Sequence, residues 1–389
     1  MMPAQPASRA THAARPITAL PLAALVLLAA CGSDVLGPAD LPARGAAVLD
    51  GFIQPGLTLV PDSGTATTRI AFGPPTEFDA GEFVLERDTA LAASSRGAGD
   101  LLYVASLATG SVRRIQLPAA SNPARARLLP GAGGAARIGV ALRDSAAIAI
   151  VEVSPAGTTS VTRIANAGRC PTDFARRGTD TWIVDANANC AVNYAVEGPV
   201  RLIRVPDQGS ARDTIVLTGL RGSAASIDVV GDIAWVSTGG EANFASFPFT
   251  LVAPGAVARV DLKNRRLLTQ RAMPAGSYGG SLKRGRDGFL YVSLYEDLDN
   301  FRPRVLRLRA DDLAFVANGA GASGAPWLDL RDARGDEVAC SGAVADGLGR
   351  LHCIRNGTAS ATSLLVFNAL GQLERTVAAG QGGVDLALR

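Results

Sequence analysis

Short apolar runs recur along this chain in one arrangement: four or five β-favouring residues, a polar turn, and a second run in which Thr or Arg alternates with apolar side chains. Seven copies begin at Leu57, Leu101, Ile148, Val200, Val257, Arg304 and Leu364, spaced 44 to 60 residues apart. A period of two puts one face of each run in a core and the other in water, and the turns (Pro-Asp-Ser-Gly, Ala-Thr-Gly, Pro-Ala-Gly, Pro-Asp-Gln-Gly, Leu-Gly) carry the residues that tight hairpins need. Between the copies lies a second hairpin with a more apolar second strand, as in the segments from Glu82, Ser226, Ser281 and Gly342. Four strands per repeat at a period of about fifty residues predict the blade of a β-propeller.

The two ends complement each other. The first repeat has only Ala46 to Ile53 and the hairpin from Leu57, so it lacks an innermost strand, whereas the chain finishes on a lone strand, Gly382 to Leu388. Pairing that strand with the first three would close a ring and remove the sheet edges that an open array exposes. The expected fold is all-β: a seven-bladed propeller over residues 46–389, closed by pairing of N- and C-terminal strands. The competing arrangement is six blades preceded by a small β-domain over residues 46–95.

Ahead of the repeats, Arg9, His12 and Arg15 precede an apolar stretch from Ile17 to Ala30 that ends in Leu28-Ala29-Ala30-Cys31. The stretch is short for a bilayer span, and its basic, apolar and small-residue order is that of a secretory signal. Leu-Ala-Ala-Cys resembles the bacterial lipobox, which implies cleavage before Cys31 and acylation of its thiol and new amino group; more than one acyl chain gives stable attachment. The expected organisation is a lipoprotein signal peptide over 1–30, a lipidated cysteine and flexible tether over 31–45, and the propeller after it. The expected location is the bacterial cell envelope outside the cytoplasm, in the periplasm or at the outer membrane, with the membrane as one partner through Cys31.

Charge changes the picture mainly by exclusion. The chain has 38 Lys+Arg against 35 Asp+Glu, and removing residues 1–30 takes away Arg9 and Arg15 and no acid, leaving 36 against 35. No run of five or six like charges exists, so nothing supports nucleic-acid binding. Hydrophobic residues at 48% and charged ones at 19% supply enough apolar material for a large core.

The pattern φ-Tyr-Val-x in Leu102-Tyr103-Val104-Ala105 and Leu290-Tyr291-Val292-Ser293 resembles the YVTN, or YncE-like, group of secreted propellers, an NHL-like architecture. The resemblance covers about residues 46 to 389 and lacks the full Tyr-Val-Thr-Asn string. It implies the fold and says little of activity.

Export would place Cys170, Cys190, Cys340 and Cys353 in a disulfide-permissive compartment. Cys340 precedes an inner strand and Cys353 lies on the next, with Asp346-Gly347 midway, so a symmetric hairpin sets the two directly opposite. Cys170 occupies the corresponding start in another blade and Cys190 follows the strand Trp182 to Asp185. The expected pairs are therefore Cys170–Cys190 and Cys340–Cys353. A zinc site is disfavoured, because spacings of 20 and 13 contain no Cys-x-x-Cys and His352 is the single histidine after the signal.

Three consecutive blades have long loops between second and third strands: Asp185 to Pro199, Thr238 to Ala256 and Tyr295 to Pro303. These hold Tyr194, Phe244, Phe247, Phe249, Tyr295 and Phe301, together with Asp185, Glu197, Glu241, Glu296, Asp297 and Asp299, against one base, Arg302. A locally aromatic and acidic rim is thus expected, suited to a sugar-like, peptide-like or cationic ligand. Asp297-x-Asp299-Asn300 offers oxygens to Ca²⁺ but lacks the glycine and distal Glu of a calcium loop, so no metal or other cofactor is expected.

No Gly-x-Ser-x-Gly elbow, His-Glu-x-x-His or phosphate loop is present, and His352 reads as a packed strand residue, so no catalytic residue is assigned. The expected role is that of a ligand- or protein-binding module, with an envelope protein or a saccharide as partner. The alternative is a hydrolase or lyase acting on a lactone or saccharide with carboxylates from Asp185, Glu241, Glu296 and Asp297, by analogy with lactonases of the gluconolactonase type and streptogramin lyases.

Overall fold

The computed structural model describes residues 44–389 apart from 52, 79–80, 95–99, 131–135, 155–156, 165, 193, 207–211, 223–224, 246, 318–325 and 358–360. The signal, Cys31 and most of the tether lie outside the described residues. Seven antiparallel sheets form a closed ring. Their inner strands, in ring order, are Gly383–Leu388, Phe83–Glu86, Pro123–Leu129, Pro171–Arg177, Ala225–Val230, Tyr278–Arg284 and Gly342–Ala345, heading blades 1 to 7.

Blade 1 closes the ring in the expected manner. Gly45–Asp50 pairs on one side with Gly56–Pro61, which in turn pairs with Thr68–Ala71, and on the other with Gly383–Leu388 in the register Val48 to Leu386. The competing six-blade arrangement fails here, because residues 45–71 are three strands of a shared blade and Phe83 begins blade 2. Each seam between blades is filled by the apolar faces of neighbouring sheets, as where Leu49, Leu57, Ile70 and Phe72 of blade 1 meet Ala90, Ala92, Leu101 and Tyr103 of blade 2. Strand alternation and seam packing are one fact: both faces of a middle strand are covered, which is why segments such as Leu101–Ser106 are buried throughout.

Blade 6 departs from the hairpin expected from Arg304. Pro303–Leu308 forms, but among the described residues its outer neighbour is reduced to bridges from Leu308 to Phe315 and from Leu306 to Trp327. At the turn that follows, Arg309 pairs with Asp312 and Leu313 takes a φ of 59°.

Both expected disulfides are present, each with Cα atoms 5.6 Å apart. The hairpin argument for Cys340 needs correction. The register sets Ala343, not Cys340, opposite Cys353, because the turn from Asp346 to Arg350 shifts the ladder to Ala345 opposite Leu351. Cys340 lies before the strand and reaches Cys353 by the return of the chain, fixed by a 2.9 Å bond from Ser341 N to Ile354 O.

Candidate ligand site at the channel mouth

Inner strands carry charge where a propeller axis offers no room for a second apolar layer. Arg125 and Arg127, two residues apart and so on one strand face, project from blade 3 toward Asp173 of blade 4. Arg127 grips the fully buried Asp173 with two bonds of 3.0 and 2.8 Å and also donates to Ile227 O at 2.9 Å, while Ile227 N donates to Asp173 at 3.1 Å. One ion pair thereby ties three blades. Burial alone would raise the Asp173 pKa, but Arg127 and Arg125 outweigh it and hold the carboxyl below its ordinary range.

A second clamp spans blades 6, 1 and 2. Lys283 donates to Asp385 and to the Leu386 carbonyl, and Asp385 accepts from Phe83 N at 3.1 Å. Burial pushes Lys283 down from its ordinary pKa, against the pull of Asp385. Arg125 adds an ion pair to Glu82 at the start of blade 2. Above these groups opens a cavity of about 350 Å³. It is lined by the charged Glu82, Arg125, Arg143, Lys283 and Asp385 and by Thr172, Ser226, Ser281, Ser341 and Tyr295. The Ser281 hydroxyl oxygen is buried without a hydrogen-bond partner.

The walls belong to the same rim as the long loops. Tyr295 leads outward into a chain of rings: Phe301 at 5.4 Å, Phe249 at 6.2 Å from Phe301, then Phe244 at 5.2 Å and Phe247 at 5.6 Å from Phe249. Tyr278, at the start of the blade 6 inner strand, joins the chain through Phe244 at 5.4 Å. Exposure runs from 36% at Phe301 through 40% at Tyr295 and 44% at Phe244 to 74% at Phe247. Sequence reasoning missed Tyr278 because it sits on a strand; its Tyr-Gly-Gly segment, unusual for a strand start, was the available signal.

The other expected rim residues are placed differently. Tyr194 is on the blade 3 side, with its hydroxyl 3.5 Å from Asp144 and Arg143 over its ring at 6.0 Å. Asp185 is buried and accepts from Arg169 N, Cys170 N and Asn187 N at 3.0, 2.8 and 3.1 Å and from Arg201 Nε at 2.9 Å, so its carboxylate fixes the loop base. Glu241 pairs with Arg221 at 2.8 Å, Glu296 with Arg304 at 3.0 Å and Arg302 at 3.5 Å, and Glu197 with Arg169. Asp185, Glu197, Glu241 and Glu296 are thus paired with Arg201, Arg169, Arg221 and Arg304 from outside the long loops, which the count of one base within them did not foresee. Asp297 spends an oxygen on Asp299 N and Asn300 N at 3.0 and 2.6 Å, and Asp299 stands exposed. Among the described residues no three His, Cys, Asp or Glu side chains stand together to hold a metal ion.

No family model and no curated protein matches the chain. Solved structures do match, at low identity. The periplasmic gluconolactonase PpgL of Pseudomonas aeruginosa superposes with a TM-score of 0.55 at 13% identity, over 89% of this chain and 98% of that one. Candidate 6-phosphogluconolactonases from Bacteroides fragilis and Bacteroides uniformis give 0.54 and 0.53 at 10% and 11% identity, each over 89% of this chain and 98% and 99% of theirs. The chain is a seven-bladed β-propeller similar in fold to these proteins.

Proposed function

We propose that this propeller is a lipid-anchored, extracytoplasmic binding module whose ligand is saccharide-like, lodging one unit in the channel mouth and laying the rest on the aromatic shelf. The observation that carries the reading is continuity: Tyr295 is at once a wall of the charged cavity and the first ring of the exposed chain that ends at Phe247. Sugar C–H faces stack on aromatic rings, while hydroxyl and carboxylate groups suit the serine, lysine and arginine side chains below. A cavity of about 350 Å³ holds one small ring and little more, so a longer ligand must extend over the shelf. The anchor at Cys31 would keep the module in the envelope, where such ligands and envelope proteins occur.

The second reading is a lactone-directed hydrolase, favoured by the names of the structural neighbours. Of the carboxylates first considered for it, Asp185, Glu241 and Glu296 are held by arginine and Asp297 by the backbone of its own turn; Glu82 and Asp385, although paired with Arg125 and Lys283, line the cavity itself and are the candidates there. One experiment separates the readings. Wild type and the variant Phe247→Ala/Tyr295→Ala/Phe301→Ala are titrated calorimetrically with gluconate and with glucuronic-acid oligosaccharides, and glucono-δ-lactone hydrolysis is followed by pH-stat. The module predicts oligosaccharide binding that the triple variant lowers at least ten-fold, with hydrolysis at the uncatalysed rate. Catalysed hydrolysis abolished by Glu82→Gln supports the enzyme, and oligosaccharide binding unchanged in the triple variant overturns the shelf.

A further inference from the structure

The opposite face of the ring carries a different chemistry. Where blades 6, 7 and 1 meet, a cavity of about 300 Å³ is lined by Arg44, Arg286, Arg350 and Arg389 together with Asp62 and Asp346. The four guanidinium groups come from four separate segments: the approach to the first strand, the inner turn of blade 6, the inner turn of blade 7 and the last residue. Asp346 is already committed, accepting from Leu348 N, Arg350 N and Arg350 Nε at 2.9, 3.0 and 2.8 Å and lying 3.3 Å from His352 Nε2. Arg286 reaches only a main-chain oxygen, Leu388 O at 3.1 Å, which leaves its charge unneutralised by that contact. His352 lines the same cavity, is 4% exposed, and has an Nδ1 without a hydrogen-bond partner. Arg350 is taken up by Asp346 and Arg389 by Asp88, 3.0 Å away, so Arg44 and Arg286 are the cations left facing Asp62, and guanidinium forks of this kind match an anion with several acceptor oxygens such as phosphate.

We infer that this cavity is a phosphate-binding site at the ring closure, held chiefly by Arg44 and Arg286. A bound phosphate would bridge Arg44, beside the strand Gly45–Asp50 of blade 1, and Arg286 of blade 6, and so brace the seam where the ring closes. The phosphate has two possible sources. One is a free phosphate ion or phosphorylated metabolite. The other is a phospholipid headgroup: Arg44 lies on this face, thirteen residues after Cys31 in the sequence, a stretch of at most about 45 Å when fully extended. Only the lipid source rests on the anchor proposed above; the site itself does not.

The test uses unlipidated chain from residue 32 onward. Melting temperature and calorimetric affinity are measured with inorganic phosphate, with sodium chloride at matched ionic strength, and by flotation with phosphatidylglycerol or phosphatidylcholine vesicles. The expected result is a phosphate-specific rise in melting temperature that Arg44→Gln/Arg286→Gln reduces at least ten-fold in affinity, with oligosaccharide titration at the channel mouth unchanged. Arg44→Gln alone, at an exposed position, guards against a folding defect in the double variant. Binding to phosphatidylglycerol vesicles without binding to inorganic phosphate assigns the headgroup as source. A chloride effect equal to that of phosphate, or binding to neither phosphate nor vesicles, overturns the inference.

Discussion

Two aromatic clusters in this propeller have nearly the same internal geometry and opposite surroundings. At the seam of blades 1 and 2, Phe72, Phe78 and Tyr103 stand with centroids 5.2 to 5.6 Å apart and are at most 5% exposed. On the rim, Phe244, Phe247, Phe249, Tyr278, Tyr295 and Phe301 keep centroid spacings of 5.2 to 6.2 Å, yet several of them are more than a third exposed. Ring-on-ring contact is therefore not what distinguishes a core from a binding surface. The seam cluster lies between two sheets that cover both of its sides. The rim cluster is covered below and open above, so its rings are held in place by one another while their outward faces remain wet. That is the arrangement expected of a preformed surface rather than of a collapsed loop.

The comparison breaks most visibly at its buried end. Phe78 is fully enclosed, touching both Phe72 and Tyr103. Phe78→Ala removes a large buried ring and leaves a cavity between sheets that cannot both relax, at an expected cost of about 3–5 kcal/mol. Urea unfolding of the variant reads this directly; a loss below about 1 kcal/mol would mean that the seam cluster is no more essential than the rim.

How much of this was legible follows from the distance over which each signal acts. Hairpins are local, so Leu57, Leu101 and Ile148 announced their strands, and the unmatched strand at Gly382 announced its partner at Ala46. The rim phenylalanines were visible because they fall within long loops of consecutive repeats. The channel charges were not: Arg127, Asp173 and Ile227 meet from three blades about fifty residues apart, and each reads alone as an ordinary polar or apolar strand position. For the same reason the rim was expected to be acidic, since the arginines that offset it, such as Arg221 and Arg304, lie outside the long loops. The shift of the Cys340 hairpin was hidden by a turn of five residues, Asp346 to Arg350, whose length no spacing argument could fix.

A charge sharpens the contrast next. Asp50, at the end of the strand Gly45–Asp50 in blade 1, is fully buried; Thr58 donates to its Oδ2 at 2.7 Å and Arg69 pairs with the same oxygen. Burial pushes its pKa up to about 6, against the pull of Thr58 and Arg69. Between the unfolded value of about 4 and the folded value, the native state holds a proton that the unfolded state has released. The Asp50 contribution to stability is therefore unfavourable at neutral pH and relieved as pH falls from about 7 to about 4. Asp50→Asn removes this dependence: wild type should gain on the variant by on the order of 1–3 kcal/mol over that window. The difference between paired urea titrations checks it, and a constant difference across the window would place the Asp50 proton elsewhere.

The smallest expected effect is the most informative about the rim. Phe247 is 74% exposed and touches the shelf edge-on through Phe249 alone among the ring contacts. Little of its area leaves water on folding, so Phe247→Ala should change unfolding free energy by less than about 0.5 kcal/mol. A ring retained in water at that exposure contributes almost nothing to the fold, and its value must lie in what it would cover or be covered by. The paired measurement is decisive: unchanged stability with weakened oligosaccharide binding assigns Phe247 to the ligand, whereas a loss of several kcal/mol would show that the shelf is a core exposed at its edge, and the distinction between the two clusters would fall.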